Sequence, residues 1–125
     1  MLMGLKGRSE RERFFRSFSF AWDGILTTFK TERNFQFHIV ICIMVTAASF
    51  FFHISLSEWI IVLFLMGGML SLELMNTALE RIVDLVTSEY HPLAKAGKDA
   101  AAGAVLIYAV LAVIIGLIIF IPKVL

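Results

Sequence analysis

The chain has 125 residues, 59% of them hydrophobic, and its mean hydropathy of +0.86 lies well above the range of soluble domains. Its net charge of +1 does not indicate nucleic-acid binding, and no zinc-finger, helix-turn-helix or RNP motif is present. The single cysteine, Cys42, excludes an intrachain disulfide and cysteine-based metal sites. We therefore expect one integral membrane domain over residues 1–125.

The first predicted element is an amphipathic helix over about residues 9–30. Large apolar residues recur there at helical spacing, with basic residues between them. They are Phe14, Phe18, Trp22, Ile25 and Phe29. This pattern is typical of a helix that lies at the membrane surface, with its aromatic side in lipid and its basic groups among the phosphates. Two roles are open: a simple anchor, or a wall of an active site.

Three apolar segments follow, at about residues 35–53, 58–84 and 98–121, and each is long enough to cross a bilayer. Backbone groups in lipid must be satisfied within a helix or a closed barrel, and the alternation typical of barrel strands is absent. The predicted fold class is therefore all-α, with three transmembrane helices after one interfacial helix. An odd number of spans puts the two termini on opposite sides of the membrane.

The basic residues predict the orientation of these spans. Residues 1–34 hold seven of the eleven lysines and arginines, and the 87–99 connection adds Lys95 and Lys98. The connection at 53–58 has no lysine or arginine. The positive-inside rule then predicts a multi-pass protein of the cell membrane, with the N-terminus and the 87–99 connection in the cytoplasm and the C-terminus outside.

The second span ends in a polar stripe within SLELMNTALERIVD, residues 71–84. On a helix, its members share a strip less than about 120° wide. They are Glu73, Asn76, Thr77, Glu80 and Asp84. Glu73 lies about 22 Å along the span, still inside the bilayer, where a charge at the centre costs at least about 2.5 kcal/mol. Such a residue indicates a functional site, whereas Asp84 is also consistent with a solvated helix end.

Other polar residues are predicted at the same cytoplasmic end: Glu32 before the first span, and Lys98 and Asp99 before the third. Several oxygen ligands with a lysine suit Mg²⁺ and a polyphosphate, and a carboxylate can take the proton of an attacking hydroxyl. By its depth, Glu73 is the expected base. The residues alone thus predict a metal-dependent membrane site for a phosphate-bearing ligand. A transporter that uses Glu73 as its proton or cation site, and a structural adaptor, are the alternatives.

Three stretches together resemble the small prokaryotic diacylglycerol kinase family, in particular its Gram-positive branch, which is similar to undecaprenol kinase. They are TERNFQFH at 31–38, E-x-x-N-T-A-L-E-x-x-x-D at 73–84 and SEYHPLAKAGKDAAAGAV at 88–105. The resemblance covers nearly the whole chain. It implies a homotrimeric helical bundle and phosphorylation of a lipid hydroxyl with ATP and Mg²⁺. The implied acceptor is undecaprenol, with diacylglycerol as the alternative. A small proton-coupled transporter subunit is a further alternative for the function as a whole.

The resemblance also implies roles for individual residues. Glu73 matches the catalytic proton acceptor, and Glu32 and Glu80 match the metal-binding carboxylates. The residues that match the nucleotide site are Arg13, Phe20, Glu32, Asn76, Glu80, Glu89, Tyr90, His91, Lys98 and Asp99. Two positions depart from the Gram-negative type, in regions that border lipid: Phe20 replaces a tyrosine, and His38 replaces a glutamate. A site shared between subunits is expected, with membrane lipid and ATP as partners and no nucleic acid.

Overall fold

The computed structural model describes residues 9–125, and all of its regular elements are helices. They are α1 (Glu10–Thr31), α2 (Arg33–Phe51), α3 (Leu56–Val86) and α4 (Pro92–Val124). Within the described range no residue is in a strand. The last three helices are long and apolar enough to cross a membrane. The predicted all-α class with three candidate spans is confirmed.

Helix α4 begins earlier than the span predicted from about residue 98. His91 is its N-cap, and the His91 Nδ1 atom accepts a 3.1 Å hydrogen bond from the Leu93 backbone N–H. Pro92, at the first helical position, has a fixed φ that suits a helix start. Lys98 and Asp99 therefore lie on a helix, and the connection to α3 shortens to residues 87–91.

Helices α1 and α2 are joined through a single extended residue, Glu32, with φ −109° and ψ 114°. On either side of this junction, Thr28 and Phe35 are buried, at 3% and 1% exposure. Helix α1 thus packs against α2 and α3, while its residues Phe14, Phe18 and Trp22 are more than half exposed. The exposed aromatic face is compatible with contact to lipid.

An apolar core lies at the end of the bundle where α2 runs into α3. Ile54, Val62 and Ile119 are buried there. Helix α2 ends in a Schellman motif: the His53 N–H bonds to the Phe50 carbonyl and the Ile54 N–H to the Ser49 carbonyl, each at 3.3 Å. His53 takes the left-handed conformation that this motif requires, with φ 51°. The turn directs Ile54 into the core.

Polar contacts fasten α3 to α4 at this same end. Ser55 and Glu58 form a reciprocal capping box at the start of α3. The second carboxylate oxygen of Glu58 lies 2.7 Å from Lys123 Nζ at the end of α4. Further along, the Tyr108 hydroxyl donates a 2.7 Å hydrogen bond to the Phe64 carbonyl oxygen. Glu58, an acid at the edge of an otherwise uncharged half-span, therefore has a structural role.

Few side chains of the three long helices are buried within one chain. Leu106, Ile107 and Val113 on α4, for example, are more than half exposed. An apolar surface this extensive requires lipid or further protein to cover it. The fold is therefore that of a membrane protein, with α3 packed most extensively against α4.

Candidate active site

Glu73 is a buried carboxylate in the second half of α3, with 5% of its surface exposed. Its Oε1 atom lies 3.3 Å from the Nε2 atom of His38 on α2. Both side chains are largely withdrawn from solvent, at 7% and 17% exposure for Glu73 and His38. Burying a carboxylate is costly unless a polar partner contacts it, so this imidazole stabilises Glu73 in its place.

One helical turn further along α3, Asn76 and Glu80 form a second polar pair. The Asn76 Nδ2 atom donates a 3.4 Å hydrogen bond to Glu80 Oε1. The Asn76 Oδ1 atom is buried and has no hydrogen-bond partner within the described part of the chain. A buried acceptor left unpaired costs about 1–3 kcal/mol, so this oxygen indicates a place for a bound donor or cation.

Glu32, at the α1–α2 junction, contacts a basic residue of α3. Its Oε1 atom lies 3.6 Å from Arg81 Nη2, which also donates a 3.0 Å hydrogen bond to Thr31 Oγ1. These contacts attach the junction to the polar end of α3. Both charged side chains remain substantially exposed, at 48% and 37%, so the pair is open to exchange with other ligands.

The acids do not form a metal cluster within one chain. Between residues 9 and 125, no group of three or more His, Cys, Asp or Glu side chains is placed to hold a metal ion. The donor chemistry nevertheless suits Mg²⁺, because Glu80 and the unpaired Asn76 Oδ1 supply hard oxygen ligands. Magnesium in nucleotide sites is commonly held by one or two carboxylates, substrate phosphates and water.

Lys98 and Asp99, adjacent in the sequence, have different partners. Lys98 Nζ lies 2.6 Å from Asp84 Oδ1 and so connects α4 to the last turns of α3. Asp99 pairs with Lys95 one turn earlier on the same helix, at 2.5 Å. Asp84 is thus an exposed helix-end residue, but one held by an ion pair.

The remaining predicted nucleotide residues lie on α1 and on the short connection between α3 and α4. Arg13 is exposed and Phe20 is half-buried on α1. Glu89 and Tyr90 are exposed in the connection, where the Glu89 N–H bonds to Thr87 Oγ1. The His91 ring, as described above, caps α4, so its Nδ1 atom is already engaged.

Three side chains that contact the predicted site residues were not themselves predicted to belong to the site. They are His38, Arg81 and Lys95. His38 is the important omission, since it lies on α2 and contacts the expected base, Glu73, on α3. Its position three residues after the buried Phe35 puts it on the same face of α2, which is the signal that the sequence offered.

The family model for prokaryotic diacylglycerol kinase matches residues 19–120 of this chain. The chain belongs to this family. The predicted resemblance is thereby confirmed, and so is the class of enzyme, a lipid kinase. The matched range contains Glu32, Glu73 and Glu80, whereas Arg13 lies before it.

Curated relatives of this diacylglycerol kinase family member carry two names. The chain is 56% identical to undecaprenol kinase from Bacillus subtilis over 116 residues, which cover 93% of this chain and 94% of the relative. It is 41% identical to a diacylglycerol kinase from Synechocystis over 110 residues, or 87% of this chain and 63% of the relative. Identity to the diacylglycerol kinase of Escherichia coli is 26% over 102 residues, or 82% and 84% of the two chains.

Proposed function

We propose that this chain transfers the γ-phosphate of ATP to the hydroxyl of undecaprenol, in the presence of Mg²⁺, and so forms undecaprenyl phosphate. The observation that carries the proposal is Glu73: a buried carboxylate on a helix long enough to cross the membrane, in a lipid kinase family. The choice of acceptor rests on the 56% identity to the Bacillus subtilis undecaprenol kinase over nearly the whole of both chains.

Glu73 serves as the proton acceptor in this proposal. The acceptor's hydroxyl oxygen attacks the γ-phosphorus, the bond between that phosphorus and the β–γ bridging oxygen breaks, and ADP leaves with the electron pair. The hydroxyl proton passes to the Glu73 carboxylate. Glu73 lies on a helix that is long and apolar enough to cross a membrane, which supports the proposal that a membrane alcohol reaches it.

Glu80, the Asn76 Oδ1 atom and Glu32 are the proposed holders of Mg²⁺. The unpaired Asn76 oxygen beside Glu80 supports this assignment. For Glu32 to take part, its carboxylate has to exchange Arg81 for the ion. When bound, Mg²⁺ neutralises phosphate charge.

The nucleotide contacts are proposed from the family pattern. Lys98 is the proposed cation for the phosphate oxygens. Its ion pair with Asp84 shows that its side chain extends from α4 to the polar end of α3, where other proposed site residues lie. The other proposed contacts are Arg13, Phe20, Glu89, Tyr90, His91 and Asp99.

We further propose that the active form is a homotrimer in the cell membrane. One chain exposes most of its span surface and lacks a complete metal cluster among residues 9–125. Association would cover part of that surface and let Glu32 and Glu80 from different chains share one site. The proposed orientation keeps the N-terminus and the site in the cytoplasm, the C-terminus outside and α1 at the membrane surface.

Diacylglycerol is the second candidate acceptor, because the Synechocystis relative with 41% identity is named a diacylglycerol kinase. Both lipids present a primary hydroxyl to the same base. The family assignment favours either kinase reaction over the transporter hypothesis.

The test is phosphate transfer from γ-labelled ATP by the purified protein in mixed micelles with Mg²⁺. Undecaprenol and diacylglycerol are offered separately and then in competition. We expect undecaprenol to be labelled preferentially. Preferred labelling of diacylglycerol would replace the acceptor and keep the mechanism, whereas no labelling of either lipid by folded protein would overturn the kinase proposal.

A further inference from the structure

The contact between His38 and Glu73 has a chemical consequence for the proposed base. Among residues 9–125, His38 is the one basic side chain that lies within ion-pair distance of the Glu73 carboxylate. The contact joins α2 to α3 through His38 Nε2 and Glu73 Oε1.

A histidine suits this position better than a lysine or an arginine does. A permanent cation at 3.3 Å would hold the carboxylate as an ion pair and oppose its protonation. A neutral imidazole with its hydrogen on Nε2 still offers one donor to a desolvated carboxylate. It can orient Glu73 without removing its ability to accept a proton.

The neighbouring rings restrict where the imidazole can go. The Phe37 and His38 rings meet edge to face, with centroids 5.9 Å apart and planes at 68°. Phe35, one turn earlier on α2, has only 1% of its surface exposed. Helix α2 is therefore closely packed against its neighbouring helices at this level. The 3.3 Å contact is close but is not aligned as a hydrogen bond, and contacts in an unliganded site commonly tighten in the reacting complex.

We propose that His38 is a positioning residue for Glu73: its Nε2 atom engages Oε1 and leaves Oε2 to take the proton of the lipid hydroxyl. This inference rests on the proposed function, because it assigns His38 a task in the same proton transfer. His38 itself gains and loses no proton in the step.

Three substitutions at this position separate positioning from packing. His38→Ala removes both the ring and the donor. His38→Phe keeps a ring of similar size without a donor, and His38→Gln supplies an amide N–H donor at comparable reach. His53→Ala is the matched control, because His53 lies in the turn after α2, at the opposite end of that helix from the site.

The measurement is kcat and the KM for ATP with undecaprenol in mixed micelles, on variants whose oligomeric state matches the wild type. We expect His38→Ala and His38→Phe each to lower kcat up to about 100-fold with an unchanged KM for ATP, since small misplacements of a reacting group have effects of that order. His38→Gln should recover a large part of the loss, and His53→Ala should keep wild-type kcat.

Wild-type kcat in His38→Phe, or no recovery in His38→Gln, would overturn the inference while the proposed function stands. A wild-type protein that phosphorylates neither lipid would overturn the proposed function and the inference with it. A raised KM for ATP with unchanged kcat in His38→Phe would also contradict positioning, because it assigns His38 to nucleotide binding.

Discussion

The Tyr108 side chain of α4 fills the space that Gly68 of α3 leaves by lacking a Cβ. A Cβ built on Gly68 would collide with the Tyr108 hydroxyl oxygen and Cζ atom. The same hydroxyl donates its 2.7 Å hydrogen bond to the Phe64 carbonyl, one turn before Gly68. Close packing of α3 and α4 at this level therefore depends on the glycine.

We predict that Gly68→Ala lowers the free energy of unfolding by about 1–3 kcal/mol, the usual cost of overpacking. The control is Gly67→Ala, because a Cβ at Gly67 meets nothing within 4 Å. SDS-induced unfolding in mixed micelles, followed by circular dichroism, measures both. In a Tyr108→Ala background the effect of Gly68→Ala should disappear. An equal effect in either background would contradict the proposed contact.

Replacement of the proposed base should separate catalysis from binding. Glu73→Gln keeps the size of the buried side chain and a possible contact with His38, but it removes the proton acceptor. We predict a loss of kcat of about 10²- to 10⁴-fold, the usual contribution of general acid–base catalysis, with ATP binding retained. Labelled-phosphate transfer and nucleotide binding to the folded variant are the two measurements.

Asp23→Asn is a suitable control for Glu73→Gln, since Asp23 is an exposed carboxylate on α1. It should retain wild-type transfer. Full activity in Glu73→Gln would show that another group accepts the proton.

The proposed metal ligands predict a shift in magnesium dependence. Glu80→Gln and Asn76→Ala remove the carboxylate and the unpaired buried oxygen, respectively. We expect each to raise the Mg²⁺ concentration for half-maximal activity about 10- to 100-fold, in line with losses at other metal sites. EDTA should abolish wild-type activity, and added Mg²⁺ should restore it. Unchanged Mg²⁺ titrations in both variants would exclude these residues as ligands.

Glu58 makes two structural contacts, a capping box with Ser55 and an ion pair with Lys123, and different substitutions remove one or both of them. Glutamine can still close the capping box with Ser55, but it cannot form the ion pair with Lys123. We predict that Glu58→Gln and Lys123→Met each lower the free energy of unfolding, because each removes the ion pair that joins α3 to α4. Glu58→Ala should lower the free energy of unfolding further, because it also opens the capping box with Ser55.

The double variant Glu58→Gln with Lys123→Met should be no less stable than either single variant, since both remove the same pair. Strictly additive losses in the same SDS titration would show that the two side chains act independently.

The helices and the carboxylate stripe could be read from the sequence because both depend on local periodicity. A largely apolar run of about 20 residues predicts a membrane span whatever the rest of the fold is. Residues three and four apart in the sequence share a helix face. Glu73, Asn76 and Glu80 were placed together on this basis. Their order along α3 in the structure agrees with that prediction, and the Asn76–Glu80 hydrogen bond is its direct consequence.

Contacts between helices could not be read in the same way. The partner of Glu73 is 35 positions away along the chain, and the partner of Glu32 is on α3, so neither follows from local spacing. The early start of α4 was missed from the sequence for a different reason. Lys95 and Lys98 lower the mean hydropathy of its first turns, although His91 and Pro92 are favourable residues for a helix start. Hydropathy locates the membrane-crossing part of a helix, not its first residue.

The two ends of the bundle are held by contacts of different kinds. The end with Ile54 and His53 combines an apolar core, a Schellman turn and a capping box with an ion pair. The end with Glu73 is joined by Arg81–Glu32 and Lys98–Asp84, which involve substantially exposed side chains and exchange readily.

The proposed lipid acceptor would have to approach Glu73 from the side, at the end where the charged contacts between helices are substantially exposed. At the far end, the apolar core and the Glu58–Lys123 pair would keep α2, α3 and α4 together during that approach.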